Sequence, residues 1–280
     1  MTSYMIRKFK DKLAFILSFL CVLVAIIPLG SILMEVVKNG APALSIQFLT
    51  SPPGAVGEAE GGIASSIQGT LILIGLTSLI GVPLGLMSGV YLAEFGDNVL
   101  GRSIRFFNDV LMQFPSIVVG IFVYMLMVLA LGSFSTIAGA VALSIIMLPI
   151  VARTTEESIK LVPNSTREAA MALGIRRWRT IISIVLNSAR SGIVTGTLLS
   201  IARIAGETAP LIMTILGSQW FFAGLKAPMD ALPLRVWRLA LLPYDYAHQQ
   251  GWGAALILII IVLTLNVGVR FATRGRYTGR

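Results

Sequence analysis

Charge is scarce in this chain. Lys, Arg, Asp and Glu make up 12% of its 280 residues and hydrophobic residues 56%, where a soluble domain carries about 25% charged residues. Mean hydropathy is +0.85. So few charges cannot coat a soluble globule of this length, which excludes almost any cytosolic enzyme, and so apolar a chain is not disordered. One cysteine, Cys21, allows no internal disulfide and excludes a secreted disulfide scaffold. The residues before it, Leu17, Ser18, Phe19 and Leu20, lack the small side chains expected ahead of a lipidated cysteine. One histidine, His248, and one cysteine cannot build a multi-His or Cys-His metal site. The sequence has no G-x-x-x-x-G-K-[ST], no H-E-x-x-H and no G-x-S-x-G. It carries no P-loop and no catalytic constellation, so we expect no cofactor, no metal and no enzymatic activity of its own. An all-α polytopic membrane protein is what remains.

What is there instead is a set of long uncharged runs. Residues 13–34, 61–93 and 249–269 each form one. The run 110–152 is about twice the length of a span and breaks at Gly132, Ser133, Phe134, Ser135 and Thr136, turn chemistry that predicts two helices and a short hairpin loop. Residues 191–216 are long enough to span but hold Arg203 and Glu207. About 20 apolar residues cross a hydrocarbon core of about 30 Å, so we read six transmembrane helices. The first run exceeds the roughly 7–15 residues of a signal-peptide core and no A-x-A site follows it, so it reads as a retained helix. Pro28, Pro83, Pro115, Pro149 and Pro210 are expected to kink or start spans.

The charges orient the spans. Arg7, Lys8, Lys10, Lys12, Arg102, Arg105, Arg153, Lys160, Arg167, Arg176, Arg177, Arg179, Arg190, Arg270, Arg274, Arg276 and Arg280 fall on one side. Lys38, Lys226, Arg235 and Arg238 fall on the other. This asymmetry predicts that both termini and the even-numbered loops are cytoplasmic. It also accounts for the net charge of +9 without a nucleic-acid partner. On the opposite side, residues 35–62 are rich in Pro and Gly, Gly57 among them, and read as an ordered loop. Residues 232–242 read as a short interfacial helix near the belt of Trp220, Trp237 and Trp252.

The fourth loop, about residues 153–187, is long for a connector. Pro163 and Asn164 disfavour an earlier helix. Ser165 and Glu168 spell an S-x-x-E capping box, Ala169, Ala170 and Ala172 favour helix, and Gly174 is placed to end it. Arg176, Arg177, Trp178 and Arg179 then open a second helical stretch. Such a segment either docks a partner through its small side chains or lies on anionic lipid.

Glu168, Ala169, Ala170 and Gly174 form E-A-A-x-x-x-G, which resembles the signature loop of ABC importer permeases. Fuller versions of that signature continue to I-x-L-P; here Ile184 and Leu186 are followed by Asn187. A wider resemblance covers nearly the whole chain. It rests on Gly-Gly-Ile-Ala at 61–64, Gly-Val-Tyr-Leu-Ala-Glu at 89–94, Pro-Ser-Ile-Val-Val-Gly at 115–120, Arg-Thr-Thr-Glu-Glu at 153–157, Leu-Val-Pro-Asn-Ser at 161–165 and Ile-Ala-Arg-Ile-Ala-Gly-Glu-Thr-Ala-Pro-Leu at 201–211. In order and spacing these are similar to permease subunits of the phosphate-specific ABC importer, of the A-type rather than the paralogous C-type. The resemblance implies an ABC type I importer permease fold in a bacterial inner membrane. It implies coupling helices in the fourth loop that dock on a dimer of ATP-binding subunits. Its further partners would be a C-type permease subunit, an external phosphate-binding protein and membrane lipid. It divides the chain into residues 1–62 (arm, first span and loop), 63–271 (transmembrane domain) and 272–280 (basic tail).

Arg203 lies about 12 residues, or roughly 18 Å, into the fifth run, near the bilayer midplane. A charge there costs about 2.5–3.5 kcal/mol on insertion scales. Glu207 follows at i+4, in reach of it. The two either form an ion pair that pins helix packing, or Arg203 meets an anion in transit while Glu207 limits how tightly it holds on. An Arg fork suits an oxyanion because it donates two aligned hydrogen bonds. Thr208 adds a neutral donor, and Gly206 would let helices approach. The residue pattern alone fits sulfate, molybdate or phosphonate as well as phosphate. A self-sufficient secondary transporter or channel is the alternative, for which the sequence shows neither an internal repeat nor discontinuous helices.

Overall fold

The computed structural model describes residues 2–55 and 60–274. Gly57 of the first long loop and Arg276 and Arg280 of the basic tail lie outside the described residues. Helix α1 (Thr2–Gly40) is apolar over most of its length and stands almost wholly exposed, apart from the bundle. It touches the bundle only at its C-terminal end, where Val36 is buried. There a Cβ on Gly40 would come 2.7 Å from the Trp252 carbonyl oxygen. A short helix α2 (Ile46–Thr50) is capped by Ser45, whose Oγ accepts the Phe48 N–H at 3.0 Å. Phe48 is buried against Ile63, Leu232 and Ala254.

Helix α3 (Ala64–Phe95) ends at a tight turn into α4 (Val99–Gln113), an amphipathic helix capped by Asn98. Helix α5 (Ser116–Leu131) leaves α4 at 105° and contains one wide turn at Tyr124–Val128. The third span therefore does not start at residue 110 as the uncharged run suggested. Pro115 holds Phe114 at ψ 135°, outside the helical region, and breaks the run there. Gly132 ends α5 with φ 67°, and Ser135 caps α6 (Thr136–Lys160), as the turn chemistry of 132–136 predicts.

Helix α6 is the buried centre of the bundle. On one face, α3 presents Gly81, Gly85 and Gly89 to it at four-residue spacing. A Cβ would come 3.1 Å from Met147 Sδ, 2.7 Å from Val151 Cβ and 2.6 Å from Thr155 Cβ respectively. Such backbone proximity needs glycine, and it replaces hydrophobic burial as the source of helix attraction in lipid. Beside α3, α6 also receives helix α8 (Arg177–Ala205), whose Gly192 and Gly196 sit against Ser158 and Thr154. Between α6 and α8 runs α7 (Asn164–Ala172). After α8 come α9 (Ala209–Thr214), α10 (Leu232–Ala240) and α11 (Asp245–Arg274). Leu73, Leu143, Met147, Val151, Ile204, Leu211, Ile215 and Leu234 form the main core where these elements meet.

Five helices, α1, α3, α6, α8 and α11, are long and apolar enough to cross a membrane, and the bent α4–α5 pair makes a sixth when its two helices are counted as one span. Among the described residues there is no strand, only one bridge between Leu216 and Met229. The short helix expected near 232–242 forms as α10, but Arg235 turns inward. The carboxylate of buried Asp230 accepts from Arg235 Nε at 2.7 Å and from Ser66 Oγ at 2.6 Å, which fastens α10 to the start of α3.

Candidate functional site

Close contacts fix how deep Arg203 lies. α8 runs antiparallel to α6, with Gly196 against Thr154. Arg203 is seven residues further along α8, about 10 Å beyond Thr154. The next residue, Ile204, is buried in the core with Leu143 and Met147. Arg203 is thus level with the apolar middle of α6.

The chain breaks just after this residue, so the fifth span is not continuous over 191–216. α8 ends at Ala205, Gly206 and Glu207 donate back to the carbonyls of Arg203 and Ile204 at 3.2 Å each, and α9 starts at Ala209. Pro210 lies in the first turn of α9 and its Cα would sit 2.7 Å from a Cβ on Gly120, so α9 is pressed onto α5. Glu207 is consequently beyond the helix rather than on its face. Arg203 Nε and Glu207 Oε1 are 3.8 Å apart, an ion pair but too long for a hydrogen bond. The Arg203 side chain is 53% exposed and that of Glu207 17%. Among the described residues Arg203 has no other charged partner, so most of its donors are free on the open face of α8. The position suits a cation, because the last turn of a helix carries the negative end of its dipole.

Thr208 opens α9 with a hydroxyl that caps nothing, while its carbonyl accepts from Leu211 and Ile212. Ser200 is buried and donates to the Thr197 carbonyl at 2.7 Å, away from Arg203. Gly206 does not mediate a close approach within this chain, since a Cβ there meets only the Arg203 carbonyl oxygen at 3.9 Å. The composition-based reading missed a stripe leading to Arg203. Ser188, Ser191, Gly192, Thr195 and Leu199 are all exposed on the same face of α8. Their three- and four-residue spacing was the available signal.

At the basic end, α7 starts at Asn164 after Pro163, two residues earlier than a capping box requires. Ser165 lies inside the helix and caps nothing, so that box does not form. A proline N-cap offers no side-chain acceptor, yet its fixed φ of −59° leads straight into the first turn. Glu168 and Ala169 are exposed, and Glu168 makes no hydrogen bond or ion pair among the described residues. Ala170 is buried on the opposite face. The helix closes as expected at Gly174, whose φ is +76°. The Gly174 N–H donates to Met171 O at 2.9 Å and the Ile175 N–H to Ala170 O at 3.2 Å, a Schellman closure. Exposed Met171 and Leu173, the latter 82% exposed, make an apolar ridge beside Glu168 and Ala169. A second helical stretch follows at Arg177, as the sequence indicated.

Residues 81–274 match the family of binding-protein-dependent transport system inner membrane components. The chain belongs to this permease family. It is 44% identical to the phosphate transport system permease protein PstA of Pasteurella multocida (strain Pm70), over 96% of each chain. It is 43% identical to the PstA of Yersinia pestis, over 94% of this chain and 90% of the relative. It is 40% identical to PstA 1 of Mycobacterium tuberculosis (strain H37Rv), over 96% and 91%. Among solved structures, the inward-facing MetNI methionine ABC transporter aligns with a TM-score of 0.60 at 16% identity, over 76% of this chain and 94% of that one. A bacterial ABC transporter that imports alginate aligns with a TM-score of 0.59 at 15% identity, over 92% and 96%. These likenesses give the permease the all-α fold of ABC type I importer membrane subunits. It is a multi-pass membrane subunit, and not itself the catalytic one.

Proposed function

We propose that this permease is one half of the translocation pathway of an ATP-driven inorganic phosphate importer. A dimer of separate ATP-binding subunits drives it, a C-type permease subunit supplies the other half, and an external phosphate-binding protein delivers the anion. The observation that carries this reading is Arg203, a guanidinium level with the apolar middle of α6, more than half exposed and with most of its donors unspent. A cation there whose one charged partner is 3.8 Å away is costly, so the open face of α8 is completed by an opposing chain and by the anion in transit. The planar fork matches a phosphate edge with two charge-assisted hydrogen bonds. Glu207, 3.8 Å away, weakens that hold enough for release, and the free hydroxyl of Thr208 adds a neutral donor. Phosphate, rather than another oxyanion, follows from the named relatives that share over 40% of their residues with this chain.

Coupling falls to α7. Glu168 and Ala169 face outward beside the apolar ridge, Ala170 seats the helix on the bundle, and Gly174 turns the chain into α8. ATP is hydrolysed on the partner that docks there. The basic end, with both termini, is the cytoplasmic side of a bacterial inner membrane. One observation favours a self-sufficient carrier: the discontinuity between α8 and α9, a feature of secondary transporters. Purification from the native host decides between the two. Co-purification of a P-loop ATPase supports the importer, and phosphate moving down a gradient through the purified chain alone supports the carrier.

A further inference from the structure

The last turn of α3 gathers three arginines from three different elements. From α4, Arg105 donates to Leu92 O at 2.8 Å and Gly96 O at 2.9 Å, and its Nε to Glu156 of α6 at 2.8 Å. Lys160 reaches the same Glu156 oxygen at 2.6 Å. From α7, Arg167 places Nε and Nη2 on Glu94 Oε1 at 3.0 and 2.8 Å. Its remaining donors bind Ile159 O at 3.1 Å and Val162 O at 2.7 Å, at the end of α6. From the start of α8, Arg177 donates to Glu94 O at 2.8 Å and lies 4.6 Å above the Phe95 ring.

Cations at a helix C-terminus satisfy leftover carbonyls and the dipole. Glu94 does more than that. Its carboxylate is 5% exposed and the Arg167 side chain 17%, and they join residues 73 apart in sequence. α8 is covalently continuous with the coupling segment, whereas α3 is not. The Glu94–Arg167 bond, with Arg177 beside it, ties that segment to α3. The glycine contacts then tie α3 to α6, and Arg105 ties its end to α4.

We infer that Glu94 is a positioning residue for energy coupling. It fastens the segment between α6 and α8 to the inner end of α3. Displacement of that segment by the ATP-binding subunit is then delivered to α3 and to the bent α4–α5 pair as well as to α8. Contiguous hydrogen-bond networks between rigid helices carry this kind of linkage, and charge-assisted bonds shielded from solvent are the stronger kind. The inference rests on the coupling role proposed above for α7.

The test uses the complete complex carrying Glu94→Gln, Glu94→Ala or Arg167→Lys. Assembled complex, ATP hydrolysis with and without loaded binding protein, and phosphate uptake are measured on each. For both Glu94 variants we expect assembly, continued ATP hydrolysis, and a fall of about ten-fold or more in binding-protein stimulation and in uptake per complex. Arg167→Lys, which keeps the charge but loses the fork, should fall between these and the unaltered complex. Less complex with unchanged stimulation per complex means a structural residue and overturns the inference. So does stimulation by the binding protein within about two-fold of normal in both Glu94 variants. If the unaltered chain brings down no ATPase, the proposed function itself fails. If it does and the Glu94 variants stay coupled, only this inference fails.

Discussion

Replacing Arg203 by Gln separates a cation that meets substrate from one half of a structural pair. At 3.8 Å, opposite charges at an effective dielectric near 20 attract by about 4 kcal/mol. The Arg203 side chain is more than half exposed and no hydrogen bond joins it to Glu207. The net contribution therefore falls to the order of 1 kcal/mol or less, as for other open pairs. Loss of Glu207 or of the whole pair should leave the amount of assembled complex nearly unchanged. Transport should respond very differently. A charged hydrogen bond contributes about 1.5–3 kcal/mol, so losing both arms of the fork costs uptake at least about 100-fold. Arg203→Gln should abolish uptake in a complex that still assembles, and Arg203→Lys should recover little because it lacks the planar fork. Glu207→Gln should assemble and transport with altered release. Assembled complex and radiolabelled phosphate uptake are scored together for both single variants and the double one. If the double variant Arg203→Gln with Glu207→Gln takes up phosphate near-normally, or if the single variants fail to assemble and the double recovers, the two residues are only a structural pair.

Reporter fusions at Gly224 should read outside, and fusions at Asn98, Asn164 and the C-terminus inside; an outside reading at Asn164 overturns the orientation. Gly174→Asp should leave the bundle intact, since a Cβ there meets nothing within 4 Å, while a left-handed φ strains any non-Gly residue by about 1–2 kcal/mol. It should cost uptake and the stimulation of ATP hydrolysis by loaded binding protein, and normal uptake would make α7 a mere connector. Gly85→Val should destabilise the α3–α6 contact by about 1–3 kcal/mol or more, because its Cβ would meet Val151 Cβ at 2.7 Å. Thermal unfolding in detergent should show it, whereas Gly75→Ala, where nothing lies within 4 Å, should have little effect.

Composition and charge spacing were enough for the class, for five or six spans and for a helical segment between the fourth and fifth runs, because hydrocarbon enforces long apolar helices and leaves charges to mark their ends. Gly174 was legible because a left-handed helix terminus has few solutions other than glycine. The bend at Pro115 and the break after Ala205 were not legible from hydropathy. Both lie inside apolar stretches, where only backbone geometry marks the interruption. Proline supplied the signal in each case, at 115 and at 210. The Ser165–Glu168 pattern misled because Pro163 already starts the helix. Gly81, Gly85 and Gly89 carried a readable small-residue spacing that composition alone passes over. The fastening of Glu94 to Arg167 could not be read from sequence, since nothing local links residues so far apart.

This permease should move phosphate only as part of an ATP-driven assembly. The most direct measurement is radiolabelled phosphate uptake into proteoliposomes containing the complex purified from its native host, with sulfate as competitor. Uptake should require ATP inside the vesicle side that carries the ATPase, require loaded binding protein on the other, and persist in excess sulfate. Phosphate uptake that proceeds through the isolated chain without ATP, or that sulfate abolishes, would contradict the account.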